Sequence, residues 1–250
     1  MQDGAVLVTG GSGGLGQGIC RRLLEDWPSL VFTYHANSAK AAALRDELSA
    51  HASVEALRMD IRQDDDVAAA LAAADAMPGG LRAVVFATGA DILQPFVSEM
   101  SQELWSRVIE VELLGFARLV RLALPILRKR GGGALVSVVS VANYWFPPGD
   151  AISAVPKAGI EMLTKAVAKE EGRYGIRANS VAPGIVNAGL GALMQSKVHS
   201  QQVWDQQKRR IPLRRFGEAA DVAEAVGYLA SSRASYVTGQ TIIVDGGLRL

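Results

Sequence analysis

The sequence predicts a single-domain, Rossmann-like α/β fold: a doubly wound, seven-stranded parallel sheet in the order 3-2-1-4-5-6-7, with helices on both faces. Three observations predict it. Short apolar runs rich in β-branched residues alternate with longer segments of helical period from one end to the other. A glycine-rich turn joins the first run to the first such segment. The chain has 250 residues and is 49% hydrophobic, which suits one large core better than two small ones.

The first strand candidate is 4–9 (Gly-Ala-Val-Leu-Val-Thr), a run of the kind buried on both faces of a parallel sheet. A helical segment at 14–26 follows, then the strand 29–34 (Ser-Leu-Val-Phe-Thr-Tyr) and the helix 38–51. Strand 53–58 and helix 63–76 repeat the unit, and strand 82–87 leads to a long helical stretch at 102–130. Strand 133–140, helix 154–174, strand 176–182, helix 218–231 and strand 241–245 complete the alternation. Crossovers of this kind are almost always right-handed. One segment breaks the rhythm. Residues 187–212, polar and Gln-rich after Pro183-Gly184, are too long for an ordinary strand-to-helix connection and read as a lid over the strand ends. No linker divides residues 1–250, and no repeat or low-complexity tract appears beyond the alternation itself.

Composition narrows the function. The 26 basic residues nearly cancel the 25 acidic ones, so no long-range field steers the chain to nucleic acid or to an anionic membrane. Cys20 is the only cysteine, which excludes an intrachain disulfide and a cysteine-based zinc site and fits a reducing compartment. His35, His51 and His199 are scattered and suggest no metal cluster. The start of the chain has no secretion signal, and no apolar run approaches the roughly 20 residues a membrane helix needs. The expected location is the cytoplasm.

The strongest local signal is Thr9-Gly10-Gly11-Ser12-Gly13-Gly14-Leu15-Gly16, placed between a strand and a helix that opens near Gly14. Glycines let the backbone turn sharply and approach a pyrophosphate, and the helix start offers unpaired N–H groups to the anion. A flexible turn would also be glycine-rich, but the coincidence of strand, turn and helix favours nucleotide binding. About 20 residues after Gly16, where an acidic residue would hold a free ribose 2′-hydroxyl, stands Tyr34-His35-Ala36-Asn37-Ser38. No carboxylate lies between Asp26 and Asp46, and Asn37 and Ser38 can donate to a 2′-phosphate. NADP(H) is therefore favoured over NAD(H), although residues 35–38 hold no arginine.

With these residues in view, the chain resembles the short-chain dehydrogenase/reductase family along essentially its whole length, and most of all its 3-oxoacyl-[acyl-carrier-protein] reductases. Thr9 to Gly16 matches that family's TGxxxGxG turn. Asn179-Ser-Val-Ala-Pro-Gly184 matches the stretch beside the nicotinamide, and Tyr236-Val-Thr-Gly-Gln240 through Val244-Asp-Gly-Gly247 matches the tail. The resemblance implies a cofactor site at Gly10, Ser12, Gly14, Leu15 and Gly16, at Asn37 and Ser38, and at Asp60 and Ile61. It extends to Ala87 and Gly89, to Lys157, and to Pro183, Gly184 and Val186. Gly13 occupies a loop position where NADP-dependent relatives often carry a basic residue. The resemblance also implies dimers or tetramers, with the same chain or a paralogous reductase, and an acyl carrier protein as a further partner.

The family's catalytic set is Asn, Ser, Tyr and Lys, the last two spaced YxxxK. Here the spacing reads Ser153-Ala-Val-Pro-Lys157, with Ser140 13 residues upstream in the place of the substrate-orienting serine. Serine replaces the tyrosine. Glu112 stands where the asparagine should fall, the Asn-Asn-Ala-Gly stretch has become Phe86-Ala87-Thr88-Gly89, and Ala188 takes the place of a threonine after Pro-Gly. An aliphatic hydroxyl is far less acidic than a phenol, whose pKa of about 10 a nearby ammonium can lower. Ser153 can instead cap the following helix with Pro156 in its first turn, and Glu112 can be an ion-pair partner for Lys157. Tyr144, four residues past Ser140, offers either a substitute phenol or an aromatic wall.

Three functions stay open. One is an atypical NADP(H)-dependent reductase of a carrier-bound 3-oxoacyl or polyketide-like carbonyl, in which water or Tyr144 supplies the proton. Another is a catalytically silent subunit that serves an active paralogue in fatty-acid or polyketide-type biosynthesis. The last is a non-redox lyase or isomerase with Glu112 as general base.

Overall fold

In the computed structural model, which describes residues 2–50, 52–90, 92, 94–189 and 201–250, the chain builds a seven-stranded sheet. Its strands are β1 (Ala5–Thr9), β2 (Ser29–Tyr34), β3 (Ser53–Arg58), β4 (Leu81–Phe86), β5 (Gly133–Val138), β6 (Ile176–Pro183) and β7 (Thr241–Val244). They pair in the order β3-β2-β1-β4-β5-β6-β7, every neighbour parallel, as expected.

The period of two along each strand sorts the core onto two faces. Val6 and Val8 of β1, with Phe32 and Val85, face α1 (Gly14–Leu23) and α2 (Ser38–Leu48). Leu7, Val31, Val84 and Phe86 face α3 (Asp64–Ala76) on the other side. Each such side chain, fully buried, contributes about 1.5–3 kcal/mol. The strands β1 and β4 separate the two halves of the sheet, so the chain leaves them in opposite directions and opens a crevice at their C-terminal ends.

The predicted helix at 102–130 is α4 (Gln102–Ile109) and α5 (Gly115–Lys129), joined without a break by one π-helical turn, Glu110–Leu114. Such turns are rare and often mark functional positions. The predicted helix at 154–174 is α6 (Ala151–Glu171), which starts three residues early. This corrects the capping role expected for Ser153: Asp150 occupies the N-cap position and Ser153 lies within the first turn. The cause is burial. Ile152 is fully buried beside Ile92 and Val108, and that packing outweighs the hydrogen bond that Pro156, inside the helix, cannot donate.

The remaining helices are α7 (Gln201–Arg210) and α8 (Ala219–Ala230). The lid expected at 187–212 thus contains α7, while residues 190–200 of it lie outside the described residues. α8 packs closely on α1; a Cβ on Gly18 would come within 2.8 Å of Ala219 Cβ. Among the described residues, no helix is long and apolar enough to cross a membrane, and no group of side chains is arranged to hold a metal ion.

Candidate functional site

The glycine turn lies at the crevice between β1 and β4. Gly10 adopts φ +69°, open to glycine and strained for other residues, and a Cβ there would sit 2.8 Å from the Ala87 carbonyl oxygen. A Cβ on Gly16 would lie 2.2 Å from the Gly10 oxygen, so the helix start is drawn tightly onto the turn. The Gly10 N–H donates to Thr33 Oγ1 (3.2 Å), and Gln17 Nε2 donates to the Ser12 carbonyl (3.0 Å). Gly13 caps α1 without a side-chain hydrogen bond, leaving the first N–H groups of the helix, near Gly14, Leu15 and Gly16, available to an anion. This cradle, shaped by the absence of Cβ atoms, fits the pyrophosphate of a dinucleotide.

At the far end of β2 stand the two residues expected to donate to a 2′-phosphate. Asn37 caps α2, its Oδ1 accepting from the Lys40 N–H (2.9 Å), and Ser38 begins that helix; both are exposed. The parallel register sets Arg58, the last residue of β3, opposite Tyr34, and Arg58 Nε donates to the His35 carbonyl (3.3 Å). A guanidinium thereby stands where residues 35–38 lack one. Sequence reasoning missed it because the residue comes from another strand; strand register alone could have found it. Asp60 receives a two-pronged contact from Arg62, with the shorter bond at 2.6 Å, and this holds its carboxyl down at about 2. Ile61 is buried, and a Cβ on Gly115 would meet its side chain at 2.8 Å.

Across the crevice, Thr88 Oγ1 donates to Thr9 Oγ1 (2.9 Å), linking the ends of β4 and β1 beside Ala87 and the exposed Gly89. The π-helical turn carries Glu112, 2% exposed, toward the same place. Its Oε1 accepts from the Ala90 N–H (3.0 Å), and its Oε2 lies 3.3 Å from Lys157 Nζ. Oε2 has no partner in hydrogen-bond geometry, so the contact with Lys157 is one of charge. Lys157 Nζ also stands 5.9 Å from the ring centre of Phe86.

Ser140 follows β5 and caps the short turn Val141–Asn143, its Oγ accepting from the Ala142 N–H (3.1 Å). Ser153 presents a hydroxyl that makes no hydrogen bond to any described residue. Tyr144 is turned to a different partner: its hydroxyl donates to Glu161 of α6 in a short hydrogen bond. Burial and the bond to that carboxylate raise the phenol above its ordinary value. Glu161 is itself buried and also accepts from Asn143 Nδ2 (2.7 Å), Lys165 Nζ (2.9 Å) and Thr241 Oγ1 (3.2 Å).

Asp150 was not singled out from the sequence. It is 8% exposed, accepts from Gln94 Nε2, and is pushed up to about 7 by burial and, secondarily, by facing Glu112. Its signal was weak, an acidic residue after Pro147-Pro148-Gly149 at the start of a helical segment.

Pro183 and Gly184 turn the chain against Asp245; a Cβ on Gly184 would lie 2.8 Å from Asp245 Cα. Val186 bridges to Gly217, the Asn187 N–H donates to the Gly217 carbonyl (2.8 Å), and Asn187 Nδ2 reaches Glu218 Oε1 (2.6 Å). The chain then crosses the glycine turn, for a Cβ on Gly14 would fall 2.1 Å from the Gly189 nitrogen. A cavity of about 450 Å³ lies beside Asn187, Lys208 and Arg215. A larger one, about 780 Å³, opens around Trp27, Gly132 and Thr238 at the opposite end of the strands, away from these groups.

A family model described as Enoyl-(Acyl carrier protein) reductase matches residues 10–249. The chain is 32% identical over 246 residues to the 3-oxoacyl-[acyl-carrier-protein] reductase FabG of Staphylococcus epidermidis, a match that spans 98% of each chain. It is 35% identical over 247 residues to 3beta-hydroxysteroid dehydrogenase 1 of Eggerthella lenta, covering 98% of this chain and 93% of that one. Among solved structures, a short-chain type dehydrogenase/reductase from Mycobacterium ulcerans is similar with a TM-score of 0.92 at 30% identity, over 100% of this chain and 90% of that one. Levodione reductase is similar with a TM-score of 0.91 at 27% identity, over 100% and 98%.

Proposed function

The chain belongs to the short-chain dehydrogenase/reductase family, and from that premise we propose that it is an NADP(H)-dependent reductase of a carrier-bound 3-oxoacyl or polyketide-like carbonyl. The observation that carries the reading is the cradle from Gly10 to Gly16, tightly packed because glycine leaves no Cβ at positions 10, 11, 13, 14 and 16, joined across one crevice to Ser140 and Lys157. When bound, NADPH supplies the hydride. The first N–H groups of α1 hold its diphosphate, and Arg58, Asn37 and Ser38 offer donors to a 2′-phosphate. Ala87, Gly89, Asp60, Ile61, Pro183, Gly184 and Val186 line the same crevice in this reading. Lys157 binds the ribose and Ser140 orients the carbonyl. Ala188 and Gly189, at the start of the segment expected as a lid, lie against the glycine turn.

Both oxygens of Glu112 are engaged, which speaks against its service as a general base in a lyase or isomerase. Tyr144 is the less suitable acid, since its hydroxyl is committed to Glu161.

A second reading, a silent subunit serving an active paralogue, draws support from Ser153 in place of a phenol and from the charge of Lys157 being met by Glu112. In either reading the location is cytoplasmic. Exposed Leu114, Val155 and Met162 on the α4–α6 side support assembly with a second copy or a paralogous reductase, and an acyl carrier protein would deliver the substrate.

The test is the oxidation of NADPH and NADH by the purified chain with a short 3-oxoacyl thioester, alone and beside a paralogue. Turnover by the chain alone with NADPH supports the reductase. An inert chain that raises the rate of its paralogue replaces that reading with the silent subunit.

A further inference from the structure

Asp150 breaks a common local rule. An aspartate at a helix N-cap ordinarily accepts from the N–H groups of the first turn, yet its side chain caps none of those of α6 and meets Gln94 in the loop after β4 instead. It sits one turn before Ser153, whose own N–H bonds to the Asp150 carbonyl (3.1 Å). A carboxyl that has given up a stabilising cap for an interior position needs another explanation.

The surrounding charges supply it. From the π-helical turn, Glu112 acts on Asp150 electrostatically; from α6, Lys157 lies 3.3 Å from Glu112 and is within ion-pair distance of no other carboxylate among the described residues. The loop after β4 contributes the neutral Gln94. Asp150 is thus a buried carboxyl that faces another carboxylate and, among the described residues, forms no ion pair, while the nearby ammonium of Lys157 is taken by Glu112. A buried carboxylate without a counter-ion takes up a proton in preference to remaining charged.

We propose that Asp150 is the proton donor of this site, in place of the missing phenol. The inference rests on the reductase reading. As hydride from the reduced nicotinamide dinucleotide forms the new C–H bond and the carbonyl π bond breaks, the Asp150 O–H bond breaks and an O–H bond forms at the substrate oxygen. Asp150 is left as carboxylate and regains its proton from solvent. Its carboxyl at about 7 matches this role, since a general acid works best with a pKa near the operating pH. The Asp150 carboxyl is protonated below that value and ionised above it, so reduction is fastest on the acid side and declines as pH rises through about 7.

The experiment titrates the full chain labelled with 13C at the aspartate carboxyls, Asp150 being assigned by the signal lost in Asp150→Asn, and sets it beside the pH profile of carbonyl reduction. The expected midpoint is about 7 and falls in Glu112→Gln, where the facing negative charge is gone. In Asp150→Asn the kcat drops by roughly 10²-fold or more and its alkaline limb vanishes, with NADPH affinity by calorimetry unchanged. In Asp150→Glu part of the rate returns with a displaced limb. A midpoint below about 5, or an Asp150→Asn variant with the wild-type rate and profile, overturns the donor role alone. A wild-type chain that reduces no carbonyl while Asp150 titrates near neutrality overturns the donor role together with the reductase reading.

Discussion

Glu112 faces Lys157 across 3.3 Å, with its other oxygen fixed by the Ala90 N–H at 3.0 Å. One carboxylate therefore ties the loop after β4 to α6. Removing it leaves the ammonium of Lys157 largely buried without a counter-ion, which costs about 3–5 kcal/mol in comparable cases. Glu112→Leu should lose an amount of that order in denaturant unfolding. Glu112→Gln should lose about 1–3 kcal/mol less, because its amide oxygen still accepts from Ala90. Equal losses in the two variants would show that the Ala90 bond contributes nothing.

Asp150 makes the fold itself depend on pH, with a sign opposite to that of most carboxylates. Its folded value of about 7 lies above the ordinary 3.8, so the folded chain retains a proton that the unfolded chain releases between those limits. Stability is fully present below 3.8, declines as pH rises toward 7, and is level beyond. The shift corresponds to about 4 kcal/mol as an upper figure. Asp150→Asn should accordingly be more stable than wild type at pH 8, the gain shrinking toward pH 4. A pH-independent difference in melting temperature would contradict the raised value.

Arg58 should set cofactor choice. Arg58→Ala is expected to weaken NADPH binding by roughly tenfold, the worth of about one exposed charge-assisted contact, and to leave NADH binding nearly unchanged. Calorimetry with both dinucleotides measures the ratio. Parallel losses for the two would remove Arg58 from the 2′-phosphate.

Gly14→Ala would place a methyl 2.1 Å from the Gly189 nitrogen, so the segment at Ala188 and Gly189 must shift. Overpacking of this kind costs about 1–3 kcal/mol. We expect a lower melting temperature together with weaker dinucleotide binding. An unchanged variant would mean that residues 188 and 189 do not rest on the glycine turn in solution.

Cys20 is completely buried under Gly11 and Phe32, and burial raises its thiol well above the ordinary value. Its alkylation should be negligible in native buffer and should rise along the global unfolding curve. Rapid labelling of the native protein would show that α1 separates from the sheet locally.

Strand order, glycine cradle and family were legible because each is written in contiguous residues: apolar runs of period two, a turn in eight letters, a tail matching over a dozen positions. The start of α6 was not, since Pro156 suggested a helix boundary and the burial of Ile152, a tertiary effect, decided it. Arg58 and Asp150 were missed for a related reason. One is brought beside Tyr34 and His35 by strand pairing, and the other owes its raised proton affinity first to tertiary burial and only secondarily to Glu112, 38 positions earlier in the chain.

The Glu161 carboxylate, shared by Asn143, Tyr144, Lys165 and Thr241, fastens the segment after β5 to the final strand of the sheet. The rim of the crevice and the C-terminal edge consequently form one mechanical piece. Shortening or fusing the tail should therefore be felt at the crevice rim around Asn143 and Tyr144, far earlier in the chain.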